Sequence, residues 1–176
     1  MKRAALMIAG LLLALPLHAA APDRTLITQN GEPVRFYSDV LKGKVVLISF
    51  IFTQCKDVCP LQTQKLASVQ SLLPGLMGHS VHFVSISVDP ERDRPEVLRE
   101  YAGRFNAGPG WTFLTGNKRD VDDVVARLGQ AVKAPQDHTA LFIVGNAKTG
   151  RWMKLHPDMT PIAIAEQLRT LVTGAT

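Results

Sequence analysis

The sequence predicts an α/β fold in which one central mixed β-sheet carries helices on both faces and a β-hairpin precedes it. Three observations lead there. Residues 45–52 form an apolar run broken only by Ser49, the pattern of a strand buried on both faces. From that run onward, strand-like and helix-like segments alternate, which calls for parallel strands joined by helical crossovers. Asn30-Gly31 lies between two short runs, 26–28 and 34–36, and Asn-Gly accepts the positive φ of a hairpin turn.

The elements follow in order. Residues 60–73 are expected as a helix burying Leu66, Val69, Leu72 and Leu73 at helical spacing. Residues 81–88 form the next strand. Residues 95–105 read as a helix with Val97, Leu98, Tyr101 and Phe105 on one face and Asp93 as a candidate cap. On that helix Glu96 with Arg99, and Glu100 with Arg104, are spaced as solvated ion pairs worth about 0.2–0.5 kcal/mol each. After a short strand, Asn117 is placed to cap a helix in which Val121, Val124, Val125 and Leu128 recur at i, i+3, i+4 and i+7. Residues 139–144 and 151–155 are expected as an antiparallel pair around a turn at 146–150. Thr160-Pro161 opens the last helix, with Pro in the first turn where no amide donor is needed. Its inward face is Ile164, Ala165, Leu168, Leu171 and Val172. No repeat or linker divides residues 20–176, which read as a single thioredoxin-like domain.

At 176 residues the chain suits one compact domain and is short for two. Its basic residues exceed its acidic ones by five; Lys2 and Arg3 fall in a predicted leader, leaving three. No basic block exceeds two residues and only 6% of residues are aromatic, so no nucleic-acid surface is signalled. Residues 1–19 read as a cleaved signal peptide: Lys2 and Arg3, an uncharged apolar run, then small residues around Ala19, Ala20 and Ala21. The apolar run is about 14 residues, against roughly 20 for a spanning helix. No Cys follows the leader to take a lipid, and no later apolar run approaches spanning length. The expectation is a mature chain without a membrane span in a bacterial periplasm, where disulfides are permitted.

The chain has two cysteines, Cys55 and Cys59, in Cys-Lys-Asp-Val-Cys followed by Pro60. They lie between the most apolar strand and the next helix, at the carboxyl end of a central strand, where open α/β sheets place their sites. Lys56 beside Cys55, and the positive end of the helix dipole beside Cys59, both favour thiolate over thiol. Thiolates one helical turn apart can close a disulfide or bind one soft metal ion. A structural staple is a poor use of the pair, because closing a five-residue loop restricts the unfolded chain by only about 2 kcal/mol. Spacing alone leaves the redox and metal readings both open. Zinc would call for a second Cys/His pair, which the sequence lacks.

Four segments together resemble the Sco/SenC family of copper-handling proteins that serve cytochrome c oxidase assembly. They are Phe50-Ile51-Phe52-Thr53-Gln54-Cys55-Lys56-Asp57-Val58-Cys59-Pro60, Ile86-Ser87-Val88-Asp89-Pro90-Glu91-Arg92-Asp93-Arg94-Pro95, Leu114-Thr115-Gly116 and Asp137-His138-Thr139. They occur in the family's order across most of the mature chain. The resemblance implies a thioredoxin-like fold and one copper ion, Cu(I) or Cu(II), held by Cys55, Cys59 and His138. An imidazole beside two sulfurs is a donor set that suits copper, and Asp137 is placed to orient the ring. Residues 129–136 are fewer than in many members, which carry an insertion with a Tyr ahead of Asp-His. His79, His82 and His156 match no motif and read as surface or satisfied core residues, and Met153 and Met159 as packing. Asp89, Arg92 and Asp93 read as loop and cap residues, with a site rim or partner surface as the alternative.

The resemblance implies a copper metallochaperone, not an enzyme. It passes its ion by ligand exchange to a copper-accepting protein such as an oxidase subunit, with another copper chaperone or a thiol reductant as further partners. The alternative is a thiol–disulfide oxidoreductase that reduces a copper-site partner, with Cys55 attacking and Cys59 resolving. A domain with an inert disulfide is the third reading. Reduction must precede metal binding, because a disulfide has no thiolate to offer.

Overall fold

The computed structural model describes residues 23–131, 134–135 and 140–174. The predicted leader, Asp137, His138 and Thr139 lie outside the described residues.

The elements run β1 (Thr25–Thr28), β2 (Pro33–Arg35), β3 (Val45–Ile51), α1 (Val58–Ser71), β4 (Val81–Ser87), α2 (Pro95–Arg104), β5 (Trp111–Thr115), α3 (Lys118–Arg127), β6 (Phe142–Asn146), β7 (Arg151–Leu155) and α4 (Pro161–Thr173). One seven-stranded mixed sheet has the order β2-β1-β5-β4-β3-β6-β7. β3, β4 and β5 are parallel neighbours, and the remaining pairings are antiparallel. This is the architecture the alternating pattern predicts.

β3 sits at the heart of the sheet, and every one of its residues is buried. Its side chains alternate between two cores, as a strand's period of two requires. Val45, Leu47 and Ile51 face the core under α1, α2 and α4, with Leu66, Val69, Leu98 and Leu168. Val46, Ile48 and Phe50 face the core under α3, with Val121 and Val124. Each such Leu, Ile or Phe stabilises the fold by roughly 1.5–3 kcal/mol. Ser49, the one polar residue of the run, is satisfied in the core: its hydroxyl meets Ser85 Oγ at 2.9 Å, and Ser85 Oγ accepts the Trp111 indole N–H at 2.9 Å.

Several local expectations are refined. The hairpin turn is wider than a two-residue one: Gly31 N–H donates to Thr28 O, Thr28 N–H to Glu32 O, and only Gly31 takes a positive φ, +84°. Phe36 is not a strand residue. It opens a single wide helical turn, Phe36–Leu41, closed by Lys42 N–H donating to Tyr37 O. Asp23 accepts from the N–H groups of Tyr37 and Ser38 and from Ser38 Oγ, while Phe36, Val40 and Leu41 enter the α3-side core. α1 starts two residues before Pro60 and ends at Ser71, leaving Leu73 buried just beyond it. β6 begins at Phe142 and runs to Asn146, so the predicted strand starts later and ends later than expected. The reason is its pairing, Asn146 with Arg151 and Phe142 with Leu155. Asn117 does cap α3, accepting Asp120 N–H at 2.9 Å. Glu96 pairs with Arg94 at 3.3 Å instead of Arg99, and no ion pair joins Glu100 to Arg104 among the described residues.

One glycine just before β5 is obligatory. A Cβ on Gly110 would lie 2.2 Å from Gly78 N, and its φ is +85°. Among the described residues no helix is long and apolar enough to cross a membrane.

Candidate metal centre

β3 ends at Ile51, and the chain crosses the end of the sheet through residues 52–57 before α1 begins. That loop holds Cys55, and the second residue of α1 is Cys59. The fold therefore brings Cys55 and Cys59 together as thiols at one sheet end, in opposite surroundings. Cys55 is half-buried at a cleft of about 450 Å³ bordered by Phe52, Lys56, Asp57, Val58 and Ala140. Cys59 is 1% exposed.

The helix start treats the two sulfurs differently. No side-chain oxygen of Asp57 caps α1. Instead Cys55 Sγ accepts the Cys59 N–H at 3.4 Å. Burial works against the Cys55 thiolate, but backbone hydrogen bonds from Cys59, Asp57 and Val58 outweigh it and hold the pKa below the ordinary thiol value. The sulfur stands where a capping oxygen would, facing the positive end of the helix. The expectation that the dipole favours thiolate at Cys59 is corrected: burial pushes the Cys59 thiol up to about 12, aided by Cys55, against a backbone hydrogen bond from Phe52. Cys59 lies inside the first turn with its side chain directed into the protein, so desolvation dominates.

Two contacts fix the segments that carry the cysteines. Thr63, one turn beyond Cys59, donates its hydroxyl to Cys59 O at 2.8 Å and meets the Tyr101 hydroxyl at 2.9 Å. Burial pushes the Tyr101 phenol up to about 12. On the other side, Asp93 is wholly buried and does not cap α2. Its carboxylate accepts Thr53 N–H at 3.1 Å, Thr53 Oγ1–H at 2.5 Å and Ser87 Oγ–H at 2.7 Å. Burial pushes the Asp93 carboxyl up, against these hydrogen bonds. The reading of Asp93 as a cap missed this, because Thr53 lies 40 residues away in sequence. The only cue was an Asp in a loop at the end of a strand adjacent to β3. Asp89 and Arg92 pair at 3.0 Å and border a separate cleft with Glu91, Lys118 and Asp122.

The other candidates sit elsewhere. His82 is partly buried, its Nε2 meets His79 O at 3.2 Å, and burial lowers its pKa. His156 is exposed beside Asp158. Met153 and Met159 pack against the α1-side core. His138, the third predicted ligand, lies outside the described residues, which resume at Ala140 on the border of the Cys55 cleft.

Comparison with known proteins places this geometry in context. Residues 17–173 match the SCO1/SenC family. A SCO2-like protein of Rickettsia conorii is 41% identical over 160 residues, covering 84% of this chain and 74% of the relative. A SCO2-like protein of Rickettsia prowazekii is 43% identical over 103 residues, covering 58% of this chain; there the chain spans only 48% of the relative's length. The structure of Bradyrhizobium japonicum ScoI with copper bound superimposes with a TM-score of 0.70 at 31% identity, covering 84% of this chain and 96% of that one. The structure of BsSco, described as a Sco-family cytochrome c oxidase assembly protein with a disulfide switch, gives a TM-score of 0.71 at 29% identity over 85% of this chain and 91% of that one. The fold these structures share with this chain is thioredoxin-like.

Proposed function

This chain belongs to the SCO1/SenC family, and from that premise we propose that it is a copper metallochaperone acting outside the cytoplasm in cytochrome c oxidase assembly. Copper is its cargo, and Cys55, Cys59 and His138 are its ligands. The observation that carries the reading is the asymmetric thiol pair: a buried Cys59 and a cleft-facing Cys55 four residues apart at one sheet end. Two soft sulfurs with an imidazole suit Cu(I) or Cu(II).

The asymmetry assigns roles. Cys59 is the retained ligand, held by α1 and shielded from water. Cys55 is the exchangeable one, because an incoming sulfur or imidazole of the acceptor reaches it through the cleft. The N–H groups at the start of α1 favour the Cys55 thiolate, the form that binds metal. The acceptor is a copper protein such as an oxidase subunit, another copper chaperone is the donor of the ion, and a thiol reductant opens the disulfide before the ion binds.

Metal analysis tests this. The reduced protein takes up one copper ion, and the disulfide form takes up none; equal uptake by the oxidised form overturns the reading. Cys55→Ser or Cys59→Ser weakens binding by about a hundredfold or more, since each removes a thiolate. His138→Ala weakens binding and changes the Cu(II) spectrum while the disulfide still closes; an unchanged spectrum removes His138 from the site. We further propose a periplasmic location after cleavage near Ala20. Amino-terminal sequencing of cell-derived protein checks it, and an intact Met1 in the membrane fraction overturns it.

The same asymmetry supports a second reading, a thiol–disulfide oxidoreductase in which Cys55 attacks and Cys59 resolves. Insulin reduction measured beside copper delivery to an apo oxidase domain separates the two. Fast insulin turnover without delivery promotes the second.

A further inference from the structure

We propose that Asp93 is a positioning residue for the Cys55–Cys59 pair: it ties the strand exit that carries Cys55 to the end of β4 and so sets how readily the two sulfurs join. The inference rests on the reading of these cysteines as the working pair.

Thr53 lies two residues before Cys55, just past the end of β3, where ladder hydrogen bonding to β4 has stopped. The chain there is free of the sheet's own restraint, yet it is held. Asp93 accepts both the backbone N–H and the hydroxyl of Thr53, at 3.1 and 2.5 Å. The same carboxylate takes Ser87 Oγ–H at 2.7 Å, and Ser87 is the last residue of β4. One side chain thus bridges the exits of two adjacent parallel strands. Asp93 is itself fixed, its N–H donating to Asp89 O at 2.9 Å, and Asp89 N–H donates to Ser87 Oγ at 3.0 Å.

An aspartate with no exposed surface is costly unless a defined geometry is gained, and an apolar residue would fill this space at less cost. The geometry gained here is the position of Thr53, and Cys55 follows it by two peptide units. On the other side of the pair, Thr63 donates to the carbonyl of Cys59 and meets the Tyr101 hydroxyl. Asp93 and Tyr101 belong to one short stretch, the loop before α2 and α2 itself. That stretch therefore grips both segments that carry the sulfurs.

Disulfide closure against glutathione disulfide is a balanced exchange. The two protein thiols give up two electrons and two protons, one S–S bond forms, and two glutathione thiols are released. Its equilibrium constant grows with the effective concentration of one sulfur near the other. Freeing Thr53 widens the space Cys55 explores and lowers that constant.

The test measures this constant in glutathione buffers for the full chain and for Asp93→Ala, Asp93→Asn and Thr53→Val, with circular dichroism to confirm folding. The expected result for Asp93→Ala is a constant about tenfold lower, equivalent to about 30 mV for this two-electron couple. Thr53→Val, which keeps the backbone N–H bond, shifts it the same way by less. Asp93→Asn retains one acceptor oxygen and recovers part of the loss. A folded Asp93→Ala with a constant within twofold of the parent overturns the proposal. If Asp93→Ala does not fold, Thr53→Val decides, and a constant within twofold of the parent again overturns it. The readout needs no metal: if the parent binds no copper, the chaperone reading fails while this constant still decides the role of Asp93.

Discussion

Cys55 stands at the mouth of a cleft and takes backbone N–H groups from the start of α1, whereas Cys59, one turn along, is covered by the protein. The first is held below the ordinary thiol pKa and the second is pushed up to about 12. A helix N-terminus is often credited with activating any cysteine near it. Here its donors act on the sulfur that faces them from outside the helix. The sulfur inside the first turn is governed by desolvation instead. On the proposed chaperone reading, in which an ion is held and then released, the difference separates the two tasks between two residues.

The largest test of that contrast is alkylation of the reduced chain. Near neutral pH, iodoacetamide modifies Cys55 about a thousandfold faster than Cys59, because only the thiolate reacts. The Cys55 rate levels off below the ordinary thiol pKa, while the Cys59 rate keeps rising towards pH 12. Peptide mapping against pH reads both, and equal rates at the two sites would erase the contrast.

Stability against pH sharpens it. A thiol whose folded-state pKa is raised contributes stability that is complete below the unfolded value and is lost as pH rises towards the folded one. For Cys59 that window runs from about pH 9 to about 12. Cys55, with its pKa lowered, has the opposite sign: its contribution is present above the unfolded value and is lost as pH falls through the folded value. The Cys59 shift is the larger. The reduced chain should therefore lose stability across the alkaline window faster than the disulfide form, and urea midpoints for both forms check it.

The hydroxyl pair behind Cys59 gives a smaller effect. Thr63→Val leaves the buried Tyr101 hydroxyl without its partner and should cost about 1–3 kcal/mol in urea unfolding. Tyr101→Phe leaves Thr63 still donating to Cys59 O, so its cost should be nearer 0.5–1.5 kcal/mol. A reversed order would show that Thr63 does not join the two. Least affected should be Lys56→Ala. Its side chain is exposed and screened by water, so the Cys55 alkylation rate should change by less than about twofold.

The elements that were legible share one property: their burial pattern is local. The β3 run, the period of α3 with its Asn117 cap, and the Pro161 start of α4 are each read within a dozen residues and stand where expected. Turns of unusual width were not legible, because Phe36, Val40 and Leu41 fit neither an alternating nor a long helical pattern. At the site, the cysteine step was plain, while the unequal fate of its two sulfurs was not.

Residues in sequence alone determined the α/β class, the order of elements, the sheet end that carries the thiols and the family resemblance, since each rests on short-range periodicity or a contiguous motif. Tertiary structure decided which thiol is buried and which is activated. It also decided that Asp93 serves Thr53 and not the start of α2, and that Tyr101 reaches Thr63. For Asp93 and Tyr101 the reason is long-range: each bonds a residue 40 or 38 positions away in sequence. For the thiols, the donors to Cys55 lie within the motif, but only the folded helix start aims them at its sulfur, and only the packed core desolvates Cys59.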